Sequence, residues 1–450
     1  MKFTDLLDLA AERLGGAAVE ANDEFFAPKE NLVKPGRGVW IDDKYTDRGK
    51  WMDGWETRRR RTPGHDWCVI RLGMPGIVRG VDVDTNHFKG NFPEACSIDA
   101  RVDGSDWVEI LPKLALQGHA QNLFEIRDAR LWSHVRLNIH PDGGVARLRV
   151  YGEAAPVLPA GTIDLAAVVL SASDEFFGSR RNLILPGDAI HMGDGWETRR
   201  RRGPGHDWVV VRLAAQGALK RAEVDTSHFK GNYPGSCWLE GADAEGGPWR
   251  ELARGDLGPD RRHAFEISGT CRYVRLNIAP DGGVARLRLW GEVTHEGFLE
   301  AGTRRLNALH DPGPELLRCC GSRRWAERMA GARPFASFAA LCEAADRVEL
   351  SREDWLEAFG AHPRIGERRE GWTEKEQAGV APSAALADAN RAYEAKFGHV
   401  FLICATGKSG EEILARLQER MRNAPDAELR VAAEEQRKIT RLRLEKLMKP

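Results

Sequence analysis

The sequence has no CxxC pair and no apolar run near the ~18 residues that a membrane span needs. It also has almost no net charge, because 66 Lys and Arg face 67 Asp and Glu for a formal −1. Without CxxC pairs, the eight cysteines (Cys68, Cys96, Cys237, Cys271, Cys319, Cys320, Cys342 and Cys404) are scattered with neither a disulfide framework nor a zinc pattern. They read as reduced thiols, which predicts a cytoplasmic protein. The balanced charge argues against nucleic acid or a membrane surface as partner, since both need a net basic face. It leaves room for a local basic pocket around a small anion. A secretory signal is not expected either, because Asp5, Asp8, Glu12 and Arg13 interrupt the apolar residues at the N-terminus. That segment reads as a short amphipathic helix with Leu6, Leu9 and Ala10 on one face.

What is present is a duplication, and repeats are read first because they set the architecture. Asp23-Glu24-Phe25-Phe26 returns as Asp174-Glu175-Phe176-Phe177, 151 residues later. Gly54-Trp55-Glu56-Thr57 with Arg58 to Arg61, and Gly64-His65-Asp66-Trp67, return 141 residues later as Gly195-Trp196-Glu197-Thr198 with Arg199 to Arg202, and Gly205-His206-Asp207-Trp208. The shrinking offset places about ten extra residues of repeat 1 near Val39–Asp53, in a surface loop. Val69–Leu72, Val135–Ile139 and Val145–Tyr151 alternate apolar and polar residues, as half-buried strands do. Pro141-Asp142-Gly143-Gly144 between two such runs reads as a hairpin turn. The fold class that follows is two tandem all-β jelly-roll sandwiches, residues 1–153 and 172–293, joined by a linker at 154–171. An all-α helical bundle completes it from about 298 to 450. At 450 residues, three domains is also what length alone suggests.

Two polar clusters stand out in the repeats. The arginine runs, Arg58–Arg61 and Arg199–Arg202, follow Trp-Glu-Thr and are expected on or beside a strand. There they either fork around a carboxylate or pair with neighbouring acids. The motif D-T-x-H-F-K-G-N-[FY]-P gathers Asp84, His87, Lys89 and Asn91, mirrored by Asp225, His228, Lys230 and Asn232. Acid, imidazole, ammonium and amide together suit general acid–base work, and equally suit a polar turn around a core histidine. A divalent metal in this half is left open: His and Asp are there, but HxH and HExxH spacings are not.

Carried by these motifs, with Asn31-Leu32 and their second copies, residues 22–293 resemble the allantoicase family. The resemblance implies galactose-binding-like jelly rolls and hydrolysis of allantoate to ureidoglycolate and urea. Allantoate offers one carboxylate to Arg58, Arg60, Arg199 and Arg201. It offers two ureido groups to acceptors among Glu56, Asp84, Asn91, Glu197, Asp225 and Asn232, with His87, Lys89, His228 and Lys230 beside them. Which copy holds the site is not given by the resemblance.

In the helical segment Ser351 reads as an N-cap with Asp354 at the third position, and Trp355 and Phe359 share a face. His362 follows, held by Pro363 at the helix end. Arg443 falls on the apolar stripe between Ile439 and Leu447, where a cation needs a partner or an anionic ligand. Thr373-x-x-Glu376 reads as a capping box. Residues 304–448 resemble 2-oxo-4-hydroxy-4-carboxy-5-ureidoimidazoline (OHCU) decarboxylases. The resemblance rests on Cys319–Ser322, Ala361–Gly366, Thr373-x-x-Glu376-Gln377-Ala378-Gly379, Tyr393–Gly398, Phe401–Ala405 and Leu442-Arg443-Leu444. It implies that His362 is the catalytic acid/base and that Pro363 lies against the substrate. It further implies that Thr373, Glu376 and Gln377 bind it, that backbone at Phe401, Leu402, Ile403, Cys404 and Ala405 contacts it, and that Arg443 holds anionic oxygen. No cofactor is expected here, and neither a Walker A nor a G-x-G-x-x-G motif is present. The expected partners are small molecules and a separate allantoinase acting in the same pathway, with homo-oligomerisation left open. The rivals are a tandem carbohydrate-binding protein with a helical interaction domain, and a chain retaining one activity.

Overall fold

Strand periodicity and Gly/Pro punctuation produce two copies of one antiparallel β-sandwich. A computed structural model describes residues 2–155, 157–365 and 383–450. It divides into two units, Met1–Ala301 and Gly302–Pro450. Repeat 1 comprises β1 (Leu7–Asp8), β2 (Ala17–Ala21), β3 (Tyr45–Thr46), β4 (Gly49–Lys50), β5 (Trp55–Glu56), β6 (Asp66–Asp84), β7 (Ala95–Arg101), β8 (Val108–Ala115), β9 (Gln121–Glu125), β10 (Leu131–His140), β11 (Gly144–Val145) and β12 (Arg147–Ala154). Repeat 2 comprises β13 (Thr162–Asp164), β14 (Ala166–Ala172), β15 (Trp196–Glu197), β16 (Asp207–Asp225), β17 (Ser236–Ala242), β18 (Arg250–Asp256), β19 (Arg262–Ala279), β20 (Gly283–Val284) and β21 (Arg286–Val293).

The long strand β6 closes the sandwich by belonging to both layers, a known route to a corner between packed sheets. Its first part pairs with β2 and β10, and its second part pairs with β12 and β9. The change of partners falls around Gly73–Gly76. There Gly73 and Gly76 leave room that a Cβ would fill, against Leu14 and against Leu9 and Glu153. Strand β16 does the same in repeat 2, with a shift of register between Arg212 and Gly217. Each core is then filled by the inward positions, with Trp55, Trp132, Ile70 and Ile98 fully buried in repeat 1 and Trp196 in repeat 2.

Three expectations are corrected here. The N-terminal segment is not an α-helix. Leu9 and Ala10 are buried as expected, but by pairing β1 against β12 between two 3₁₀ turns (Phe3–Asp5 and Glu12–Leu14). Gly15, with φ of 88°, ends the second turn and lets the chain enter β2. The stretch 154–171 is not simply a linker, because β13 and most of β14 lie within it and pair with β21 and β16. Pro141–Gly144 is not a hairpin. Strands β10 and β12 both pair with β6 rather than with each other, so the turn carries the chain between layers. Gly143 (φ 139°) makes that passage against the backbone of Asn91–Pro93.

From His295 the chain is helical: α1 (His295–Ala308), α2 (Gly313–Cys320), α3 (Arg323–Gly331), α4 (Phe338–Arg347), α5 (Arg352–Gly360), α6 (Ala384–Phe397), α7 (Gly410–Arg420) and α8 (Pro425–Met448). Helices α3 to α7 each start at a serine whose hydroxyl accepts a backbone N–H of the first turn. The capping box at Ser351–Asp354 and the Trp355–Phe359 contact, 6.1 Å between ring centroids, form as expected. No helix among the described residues is long and apolar enough to cross a membrane.

Candidate functional site

In the helical unit, α5 ends at Gly360, and the backbone N–H of His362 still donates to the Phe359 carbonyl at 3.0 Å. Pro363 then stops any continuation. This puts His362 and Pro363 in the lining of a cleft shared with Ile365, with Phe401 through Thr406, and with Ile439 and Leu442 of α8. Three segments far apart in sequence meet there. Thr373, Glu376 and Gln377 lie outside the described residues.

The floor of the cleft, Phe401–Ala405, is an irregular strip whose backbone groups need partners. Arg420 supplies one by donating from Nη1 to the Leu402 carbonyl at 2.6 Å, and its guanidinium also covers the Phe401 ring at 4.6 Å. Arg420 in turn donates from Nε to Glu428 Oε1 at 2.8 Å. The hydroxyl of Tyr393 donates to the same oxygen, and Asn423 Nδ2 donates to Oε2 at 2.6 Å. Burial and the adjacent Glu428 push the Tyr393 hydroxyl far above the usual phenol range. On the other side, Cys404 N–H donates to Glu435 Oε2 at 2.7 Å, and Lys408 Nζ donates to the Cys404 carbonyl at 2.8 Å. Sequence reasoning missed Arg420, Glu428 and Glu435. A signal was available for Glu428: it opens the stripe 428, 432, 436, 439, 443 along α8, so the test that singled out Arg443 applies to it equally.

Arg443 is buried, at 6% exposure, but among the described residues it is not part of the cleft lining. Burial pushes the Cys319 and Cys320 thiols up to about 12 and about 11, and the charge of Arg443 pulls both down.

The β-repeat candidates converge in part: Glu56 meets Asn91 and Glu197 meets Asn232, while the others bind elsewhere. The arginine runs are not on strands, because β5 and β15 stop at Glu56 and Glu197. Each predicted arginine is taken by an aspartate: Arg58 by Asp23 at 2.6 Å, Arg60 by Asp66 at 2.6 Å, Arg199 by Asp174 at 3.4 Å, and Arg201 by Asp207. Arg58 and Arg199 still expose 65% and 66% of their side chains beyond these pairs. Asn91 donates to Glu56 at 2.7 Å and Asn232 to Glu197 at 2.5 Å, one pair at the rim of each sandwich. Burial raises the Glu56 carboxyl above the usual range, opposed by the Asn91 amide. Asp84 is held in a fork by Arg37, with both bonds at 2.9 Å, whereas Asp225 accepts from Ser227 and lies 3.5 Å from Arg262.

His87 and His228 occupy left-handed backbone, with φ of 68° and 72°, which is uncommon without glycine. Their N–H groups are held by His119 Nδ1 at 2.9 Å and Asp260 Oδ1 at 2.7 Å. Lys89 is exposed, and Lys230, with its side chain 79% exposed, lies 3.7 Å from Asp260. Among the described residues no group of three or more His, Cys, Asp or Glu side chains is placed to hold a metal ion.

The family model described as allantoicase repeat matches residues 7–155 and 162–294, and that described as OHCU decarboxylase matches 313–445. A protein named "Probable allantoicase 1" from Burkholderia mallei is 49% identical over 316 residues, covering 63% of this chain and 94% of that protein. One named "Probable allantoicase" from Pseudomonas aeruginosa is 50% identical over 320 residues, covering 64% and 96%. The crystal structure of allantoicase from Saccharomyces cerevisiae superposes with a TM-score of 0.56 at 38% identity, covering 63% of this chain and 92% of that one. With its duplicated sandwich matched over both copies, the chain belongs to the allantoicase family, and it carries an OHCU decarboxylase domain behind the second copy.

Proposed function

We propose that the chain performs two separate steps of purine breakdown. The β unit hydrolyses allantoate to ureidoglycolate and urea, and the helical unit decarboxylates OHCU to (S)-allantoin. The observation that supports the second reading most is the meeting of His362, Pro363 and Phe401–Ala405 at one cleft. Breaking the C–CO2 bond leaves an electron pair on the ring carbon, and the substrate's own conjugated carbonyl and imine groups absorb it. The protein has then to orient the substrate and deliver one proton to that carbon as the new C–H bond forms. His362 is the proton donor in this reading, since an imidazole exchanges protons near neutrality. The fixed backbone of Phe401–Ala405 orients the ureido and ring groups, with Thr373, Glu376 and Gln377 binding alongside. Arg443 is the cation for the substrate's anionic oxygen in this reading. The product of this step is not the substrate of the other, because a ring-opening hydrolase has to act between them.

Purified full-length protein with His362→Ala is expected to lose its acceleration of (S)-allantoin formation from freshly oxidised urate, followed by circular dichroism. Unchanged acceleration removes His362 from the mechanism. For the β unit, urea release from allantoate by the unaltered chain is the test, and release no faster than background overturns that reading.

A further inference from the structure

A cavity of about 670 Å³ lies between the two β repeats, within the first unit. That is the size of a pocket for a small organic molecule. Repeat 1 contributes the outward face of β12 and β6, including Asp82, Asp84, Arg149 and Tyr151, and repeat 2 contributes Arg181 and His191. Along β6, Val81 and Val83 point into the sandwich core, so the intervening Asp82 points away from it. An outward aspartate normally meets water. Here the residue is 2% exposed and lines the cavity. Its Oδ2 accepts from Gln121 at 2.8 Å, while Oδ1 is buried with no hydrogen-bond partner. A buried carboxylate oxygen left unpaired costs free energy unless something binds it.

The duplication supplies a control within the same molecule. Register pairing places Arg149 opposite Asp82 in repeat 1, and Arg288 opposite Glu223 in repeat 2. Gln121 of β9 corresponds to Arg262 of β19, since they face Asp84 and Asp225 respectively. In repeat 2 the acid is neutralised: Glu223 lies 3.1 Å from Arg221 and 3.8 Å from Arg262. In repeat 1 a neutral amide stands in place of Arg262, and one carboxylate oxygen is kept open. The two copies have thus become unlike at this position.

We propose that this cavity is the single substrate pocket of the β unit. It takes a small molecule bearing a carboxylate at one end and ureido N–H groups at the other, and Asp82 accepts those N–H groups. Arg181 and Arg37 supply the opposite charge. Arg37 uses Nε and Nη2 on Asp84, and Arg181 uses Nη1 on the Thr4 carbonyl, so each has a nitrogen outside those bonds. Burial and the charge of Asp84 push the Asp82 carboxyl up to about 6, against the pull of the Gln121 amide, Arg149 and Arg37. Binding of N–H donors therefore strengthens as the pH rises through that value. The assignment rests on the urea-releasing reading of the β unit.

The test uses the full chain and measures urea release from allantoate against substrate concentration and pH. Far-UV circular dichroism and the β unit's urea midpoint check that each variant is folded. Asp82→Asn is expected to lower kcat/KM about 10- to 100-fold, the usual range for losing a hydrogen bond to a charged acceptor. It is also expected to abolish the rise in kcat/KM through about pH 6. Glu223→Gln, at the matching position of repeat 2, is expected to stay within about twofold of the unaltered chain. Should Asp82 variants fail to fold, the exposed Arg181→Ala and His191→Ala decide the matter, with raised KM expected. The proposal is overturned if the unaltered chain releases urea while folded Asp82→Asn matches it in kcat/KM and pH profile. It is equally overturned if, in the absence of a folded Asp82 variant, both rim variants keep the original KM. An unaltered chain that releases no urea overturns the urea-releasing reading instead, and with it this choice of substrate.

Discussion

Replacing Glu428 by alanine tests how the floor of the His362 cleft is held. Glu428 is fully buried and receives three donors, from Arg420, Tyr393 and Asn423. It also sits in the first turn of α8, where a negative charge is favoured by the helix dipole. Removing one member of a buried ion pair costs about 3–5 kcal/mol, because the surviving charge is left uncompensated. Arg420 keeps its bond to the Leu402 carbonyl and its contact with the Phe401 ring, which places the expected loss near the lower end, about 3 kcal/mol. A deficit of that size raises the population of locally opened states about 100-fold. Hydrogen exchange read by mass spectrometry on the full chain measures it directly. Peptides from Ala384–Phe397 and Gly410–Arg420 are expected to exchange about 100-fold faster in Glu428→Ala, with β-unit peptides unchanged as the internal reference. Glu428→Gln preserves shape and acceptor but not charge, and is expected to fall between the two. If Glu428→Ala leaves exchange in these helices as it was, the Arg420–Glu428–Tyr393 cluster does not hold the cleft floor.

Two further outcomes follow from burial. His140, whose ring centre is 4.8 Å from that of His65, is held down to about 4 by burial, with His65 adding to the effect. The unfolded chain takes up a proton below about pH 6.5 and the folded one does not until about pH 4, so this contribution is present above pH 6.5 and lost as pH falls toward 4. His140→Gln is expected to flatten that part of the β unit's urea-midpoint profile, and an unchanged slope counts against it. Seven cysteines are buried and Cys404, in the cleft, is half-exposed. A thiol reagent is expected to label Cys404 first in the native chain, more slowly with (S)-allantoin present; labelling indifferent to that ligand argues against the cleft as its site.

The β modules were legible because their outward and inward residues alternate and because each motif occurs twice. The errors come from features that local pattern cannot separate. Leu6, Leu9 and Ala10 have helical spacing, yet pairing of Leu7–Asp8 with β12 buries the segment as an extended edge. Pro-Asp-Gly-Gly has the composition of a hairpin, and only the two-layer membership of β6 reveals it as a crossover. The Arg58–Arg61 run shows its chemistry in the sequence but not its partners, which are Asp23, Asp142 and Asp66 at the start of β6. In the helical unit the cleft residues were readable from the motif around His362 and the run at Phe401–Ala405. Asp82 was not readable at all. It follows ordinary alternation in a strand, and nothing in that pattern tells a solvated acid from one buried beside Gln121, Arg149 and Arg37.

Each repeat pins its rim loop with one indole. Trp55 donates to the Asp23 carbonyl across 32 residues, and Trp196 to the Asp174 carbonyl across 22, both at 2.8 Å. The ten residues by which the copies differ in length fall inside this ring of chain. By the logarithmic dependence of loop closure, that difference costs about 0.3 kcal/mol. A loop fastened at its base in this way can be lengthened at little cost, provided that Leu32 and Val33, which belong to the sandwich core, are kept. The indole thus acts as a hinge pin for divergence, and a new recognition loop grafted there has to spare Arg37 in the first copy and Arg181 and His191 in the second, which line the cavity between them.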